Sequence, residues 1–158
     1  MTTPRDFFEN IVKPSYQAWL SAPLAEWNAK AAASNADTMA ERTFVYWDGR
    51  DQTQIAGVGS AREYRNHLRG ICPDFGLVWD VHDGHKHFKL DRSNREITSA
   101  TQTGIGRMAY GEGEYGEGAY GGPAQIVIEL DNGSKRTLAG IMQTVVAMWE
   151  TQLTSMAL

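Results

Sequence analysis

The chain of 158 residues contains a single cysteine, Cys72. No intramolecular disulfide can form, so nothing supports a secreted, disulfide-stapled scaffold. No window approaches the ~18 consecutive apolar residues of a membrane span. The opening Met1-Thr2-Thr3-Pro4-Arg5-Asp6 lacks the basic start and apolar run of a signal peptide. These absences predict a cytoplasmic protein with no membrane partner. Positive charge is also short: the net charge is −4, with 10 basic and 11 acidic groups in residues 1–90 and 5 and 8 in residues 91–158. That balance argues against generic, charge-driven nucleic-acid binding while leaving room for a local basic site. Sequence signatures of chemistry are missing as well. There is no Gly-x-x-x-x-Gly-Lys-Ser/Thr loop, His-Glu-x-x-His, Cys-x-x-Cys or Gly-x-Ser-x-Gly elbow, and Gly104-Ile105-Gly106 is only a fragment of a dinucleotide fingerprint. No cofactor is implied.

What is present is material for one packed core. Hydrophobic residues make up 42% of the chain and charged residues 22%, the proportions of a globular domain. A chain of this length should bury roughly 70% of its unfolded surface without staples. We therefore expect a single α+β domain over 1–158: a helical bundle over 1–90, a small antiparallel sheet over 91–137 and a closing helix over 138–158.

Helical signals dominate the first part. Thr3 is placed to cap a helix with Pro4 in its first turn. Phe7, Phe8, Ile11, Val12, Tyr16, Trp19 and Leu20 recur at helical steps, and Pro14 should kink or interrupt the helix. Ser21 and Pro23 repeat the start signal. From Leu24 to about Trp47 a long helix is expected, strengthened by Ala31-Ala32-Ala33, on which Trp27, Ala31, Asn35, Met39, Arg42 and Tyr46 could share one face. Ser60-Ala61-Arg62-Glu63 has the pattern of a capping box. The helix after it carries Tyr64, His67, Leu68 and Ile71 on one side and Arg62, Arg65 and Arg69 on another. Those arginines read either as a solvated face or as a phosphate site.

The second part alternates. Arg92-Ser93-Asn94 predicts a turn, Arg95 to Gly106 a strand rich in Thr and Ser, and Gln125 to Leu130 a further strand. Asp131-Asn132-Gly133 suggests a type I′ hairpin turn with a return strand over 134–137. Three Tyr-Gly copies begin at Tyr110, Tyr115 and Tyr120, either a connector or a sticky loop that could mediate assembly. Leu138, Ile141, Met142, Val145, Val146, Trp149, Leu153 and Met156 then follow a helical period closely.

Chemistry-bearing residues concentrate between Asp74 and Leu90, where His82, His85 and His87 lie among Asp80, Asp83 and Lys86. Two readings compete. A helix places Leu77, Val81, His85 and Phe88 toward the core and Asp80, Asp83 and His87 on a polar flank. A hairpin around Asp83-Gly84 instead places Asp80, His82, His85 and His87 on one sheet face, the only geometry that would suit a metal. Both bring Asp80 toward His87. A carboxylate beside an imidazole suits a general base, a metal ligand or a structural hydrogen bond. Cys72 reads as a small buried residue rather than a nucleophile.

Cys72-Pro73-Asp74-Phe75, Asp80, His85-Lys86-His87-Phe88, the Tyr-Gly-Glu-Gly copies, Leu130-Asp131-Asn132-Gly133 and Met148-Trp149 together resemble a group of uncharacterised bacterial proteins. The resemblance runs from about Leu24 onward and implies a helical front end, a Lys-His pair, a β hairpin and a closing helix, with 73–87 helical. A more distant similarity is to HEPN domains, four-helix bundles associated with nucleic acids. Their ribonuclease members carry an arginine, a polar residue, four to six further residues and a histidine. Asp80 and His87 match that spacing, while Trp79 stands at the arginine position. The resemblance implies a hydrolase of RNA or nucleotides with His87 as general base, Asp80 orienting it and Arg65 on the phosphate. Helices followed by a curved antiparallel sheet are also similar to the nuclear-transport-factor-2-like cone, which implies a ligand pocket lined by Tyr46, Trp79 and Trp149. With no complete catalytic set in view, the leading expectation is an interaction or assembly domain, homo-oligomeric or bound to a protein partner.

Overall fold

The structure is a computed structural model that describes residues 3–87, 90, 95–107 and 124–158. The Arg92–Asn94 turn, Phe88 and the Tyr-Gly copies lie outside the described residues. The fold is α+β, with helices at both ends and a small antiparallel sheet between them.

The first helix starts where its cap predicts. The Thr3 hydroxyl accepts from the Asp6 amide at 3.1 Å, and the Asp6 carboxylate accepts from the Thr3 amide at 3.0 Å. Helix α1 (Pro4–Phe7) then widens into a π turn (Phe8–Val12) before continuing as α2 (Lys13–Leu20). Pro14 explains the widening. It offers no amide to the Asn10 carbonyl, and its ring crowds that carbonyl, so the Lys13 amide reaches back to Phe8 instead. The helix is interrupted without breaking.

Helix α3 (Glu26–Trp47) runs for 22 residues. Its core face is the small-residue face: Ala29, Ala32, Ala33, Ala36 and Ala40 are buried together with Asp37, Thr43 and Phe44. Of the six residues expected to share a face, Met39 alone is buried, while Trp27 is 71% exposed and Arg42 is exposed. Alanine wins because it allows neighbouring helices to approach closely, and five alanines at helical spacing form a continuous seam.

Helix α4 (Ala61–Ile71) is capped by Ser60, whose side chain accepts from the Glu63 amide. Glu63 reaches back one residue beyond the box, to the Gly59 amide at 2.9 Å. Tyr64 and Leu68 are buried, whereas His67 and Ile71 face solvent. Helix α5 (Pro73–Lys86) follows at once, so the segment is a helix and the hairpin around Asp83-Gly84 is not formed. It packs among α3, α4 and the closing helix.

The sheet has the order β1 (Thr103–Gly106), β2 (Gln125–Glu129), β3 (Lys135–Thr137), all antiparallel. The strand expected from Arg95 begins only at Thr103. Ser99 caps a short 3-10 turn (Ala100–Gln102), and the Gln102 side chain accepts from the Thr98 and Ser99 amides at 2.9 and 2.8 Å, so 95–102 is folded on itself. The hairpin loop is also not type I′. Only Gly133 has positive φ (+82°), with its amide on the Leu130 carbonyl at 2.8 Å, the pattern of a three-residue loop closed by a bulge glycine. Thr137 ends β3 and caps α6 (Leu138–Ser155), its hydroxyl oxygen accepting from the Gly140 amide at 3.2 Å. Among the described residues, side chains from the helices at both ends and from the sheet form one buried cluster. Among the described residues the sheet is followed by α6 rather than by a long strand.

Candidate functional site

Three charges are buried along α5 and its neighbours. Asp80 and Asp83 are three residues apart, so they project from one face of α5, and a single guanidinium can reach both. Arg95 Nη1 donates to Asp80 Oδ1 at 2.8 Å and Nη2 donates to Asp83 Oδ2 at 2.6 Å. The Glu96 amide also donates to Asp80, at 3.3 Å. All three side chains are nearly inaccessible, Arg95 at 4%, Asp80 at 3% and Asp83 at 11%. Burial pushes the Asp80 carboxyl up to about 6 against the pull of Arg95.

A second group of buried charges is centred on α3. Asp37 is the one acid on the alanine seam, and it is 1% exposed. Arg65 clamps it with both arms, Nε to Oδ1 at 3.0 Å and Nη2 to Oδ2 at 3.2 Å. His82 Nε2 lies 4.0 Å from Asp37 Oδ2, while its buried Nδ1 has no hydrogen-bond partner among the described residues. Burial raises the Asp37 carboxyl above its ordinary value, with Arg65 opposing.

The three residues proposed as catalytic are therefore separated. Asp80 is committed to Arg95 and Glu96 and lines a cleft of about 340 Å³ with Lys30, His85 and Thr103. Arg65 is committed to Asp37 and lines another, of about 520 Å³, with Arg62, His82 and Lys86. His87 is the exposed C-cap of α5, its amide bonded to the Asp83 carbonyl at 2.7 Å, and no Asp80–His87 hydrogen bond or ion pair forms. The expected pairing is replaced because Arg95 offers Asp80 a full charge inside the fold, whereas His87 has already left the helix. Helical spacing likewise disperses the histidines, and the described residues contain no cluster of three or more metal-ligating side chains. The three aromatics expected in one pocket are also apart: Tyr46 and Trp79 line different clefts, and Trp149 is fully buried in the core. Cys72 is buried at the α4–α5 junction, and burial raises its thiol.

No protein-family model, curated protein or solved structure matches this chain. Function must therefore be argued from its own surface. The described residues include no helix long and apolar enough to cross a membrane. What the surface does show is an apolar corner. Leu20, Leu24 and Trp27 are 48%, 44% and 71% exposed where α2 turns into α3. Trp27 is propped edge-on against the His85 ring, with centroids 5.7 Å apart.

The Asp80 carboxyl makes a pH prediction with a definite sign. Its folded value, about 6, stands above the unfolded 3.8, so the folded state holds the proton more tightly. That contribution to stability is complete only well below the unfolded value of 3.8 and is lost as the pH rises through about 6. Across about pH 4 to 7 the native protein should lose about 2 kcal/mol more stability than Asp80→Asn. Urea unfolding at a series of pH values checks this, and parallel curves for the two proteins would contradict it.

Proposed function

We propose that the chain is an interaction domain that self-associates through the α2–α3 corner. The observation carrying this reading is Trp27, the most exposed large apolar side chain among the described residues, on a helix whose opposite face is an alanine seam. Isolated surface hydrophobes are ordinary, but three within eight residues make a patch, and tryptophan is the residue most enriched among interface hot spots.

A second copy is the partner that fits. Glu26 and Lys30 flank Trp27 and pair with each other at 3.7 Å. About a twofold axis with the two α3 helices antiparallel, each copy's Glu26 meets the other's Lys30, so the surface is complementary to itself. The corner offers on the order of 300 Å² per copy, short of the roughly 800 Å² per partner of a standard interface. Association is therefore expected to be weak and dependent on concentration.

Sedimentation velocity over rising concentration tests the reading. The native protein should shift toward dimer, Trp27→Ser should remain monomeric, and Val45→Ser, which removes an exposed side chain (66%) outside the corner, should behave as native. Both substitutions replace exposed residues, and stability should change by no more than about 0.5 kcal/mol. Equal dimerisation of Trp27→Ser and the native chain would remove the corner from consideration. A native protein that stays monomeric while a different protein occupies the corner would replace self-association with a heterologous partner.

A further inference from the structure

Of the six asparagines in the chain only Asn132 is followed by glycine. That pair is chemically labile for a steric reason. The backbone nitrogen after an asparagine can attack the side-chain carbonyl carbon, and glycine has no Cβ to obstruct the approach. Asn132 and Gly133 are exposed in the loop between β2 and β3, and a Cβ placed at Gly133 would meet nothing within 4 Å. Base and water therefore reach the pair, and a cyclic imide has room to form.

The loop nevertheless holds both reacting groups. The Gly133 N–H, whose proton must leave before its nitrogen can attack, is bonded to the Leu130 carbonyl at 2.8 Å. Asn132 Oδ1 accepts from the Ser134 amide at 2.9 Å and from the Ser134 hydroxyl at 2.6 Å. The Leu130 amide in turn donates to the Ser134 carbonyl at 2.8 Å. Asp131 ties the loop to the folded 95–102 segment. Its amide donates to the Glu96 carbonyl at 2.8 Å, and its carboxylate accepts from Thr98 and Gln102 at 3.0 and 2.9 Å. Reaction at Asn132 has to open this loop first.

We propose that Asn132 is a deamidation site gated by its own hairpin loop, with Ser134 as the residue that keeps it closed. In the opened loop, hydroxide takes the Gly133 amide proton and the nitrogen attacks Asn132 Cγ. The Cγ–Nδ2 bond breaks, and Nδ2 leaves as ammonia after taking a proton from water. Water then adds to either carbonyl of the imide, giving aspartate or isoaspartate. Either product adds a negative charge to a chain already at −4. The new carboxylate stands in a cleft of about 860 Å³ that Asn132 lines with Asp74, Glu96, Lys135 and Arg136. Isoaspartate also inserts a carbon into the main chain, which displaces Gly133 from the Leu130 carbonyl. The modification does not depend on self-association.

Peptide mapping by mass spectrometry tests the proposal, on the full chain kept at mildly alkaline pH and again in urea that unfolds it. Deuterium exchange of the Gly133 amide is followed in the same samples, because both processes need base to remove the same proton from the opened loop. Deamidation at Asn132 should be slower in the folded protein than in urea by the factor that protects the Gly133 amide. Ser134→Ala removes an exposed hydroxyl and leaves the backbone bonds of the loop in place. It should deamidate about two- to tenfold faster than the native protein, the effect of one lost hydrogen bond on an opening equilibrium. Its Gly133 amide should exchange faster by the same factor. An unfolded chain that stays unmodified overturns the site, and equal rates in the folded and unfolded chain overturn the gate. A Ser134→Ala variant that reacts at the native rate overturns the role of Ser134. A slower reaction overturns it too, since the Ser134 donors would then activate Cγ rather than restrain it.

Discussion

Replacing Trp149 by alanine should lower the unfolding free energy by about 3–5 kcal/mol, the range for deleting a large aromatic side chain from a close-packed core. Trp149 is fully buried, meets the Phe75 ring edge-on at 5.9 Å between centroids, and donates its indole N–H to the Ala36 carbonyl at 3.0 Å. One side chain thus ties α6 to both α5 and α3. The Ala36 carbonyl lies in mid-helix, where it also accepts the ordinary helical bond, so the loss comes mainly from the cavity. For a chain of this size the melting temperature should fall by about 10 °C. Urea unfolding gives the value directly, and a loss below about 1 kcal/mol would show that the three helices are not joined at this residue.

Arg95→Ala should be comparably severe at neutral pH, again about 3–5 kcal/mol, for an electrostatic reason. It strips the shared cation from Asp80 and Asp83 and leaves two carboxylates buried three residues apart. Part of the loss should be recovered as the pH falls toward about 5, because the Asp80 carboxyl, its folded value raised further without the cation, then takes up a proton. A triple variant, Asp80→Asn with Asp83→Asn and Arg95→Met, should regain most of the stability at pH 7, since it removes the stranded charges along with the cation. Unfolding curves for both variants at pH 5 and 7 check this. A pH-independent loss in the single variant would mean that Arg95 acts through packing alone.

The helices were legible where their signals are local. The closing helix follows from the spacing of Leu138, Ile141, Met142, Val145, Trp149 and Leu153, all of which are buried. Thr3 and Ser60 mark real helix starts because a cap needs only neighbours three residues away. The face of α3 was less legible, since bulky residues draw attention and the seam is made of alanines. Asp37 did leave a signal there: an acid in the middle of an alanine face implies a buried cation waiting for it, and Arg65 is that cation. Nothing local announces Arg95. It meets Asp80 only because the chain turns back after α5 and the Ser99–Gln102 cap folds 95–102 onto itself, a contact fifteen residues long. That same contact is why Asp80 is not available to His87, and why an inference from spacing within α5 alone fails.

The most direct test of self-association through the corner is a charge exchange across the twofold axis. Glu26→Lys and Lys30→Glu should each dimerise less than the native protein, because each places like charges face to face. Mixed in equal amounts they should form a heterodimer, with every reversed charge meeting its opposite, and sedimentation equilibrium of the mixture should show dimer exceeding that of either variant alone. A mixture that sediments as the simple sum of its two components would contradict the antiparallel corner and the self-association built on it.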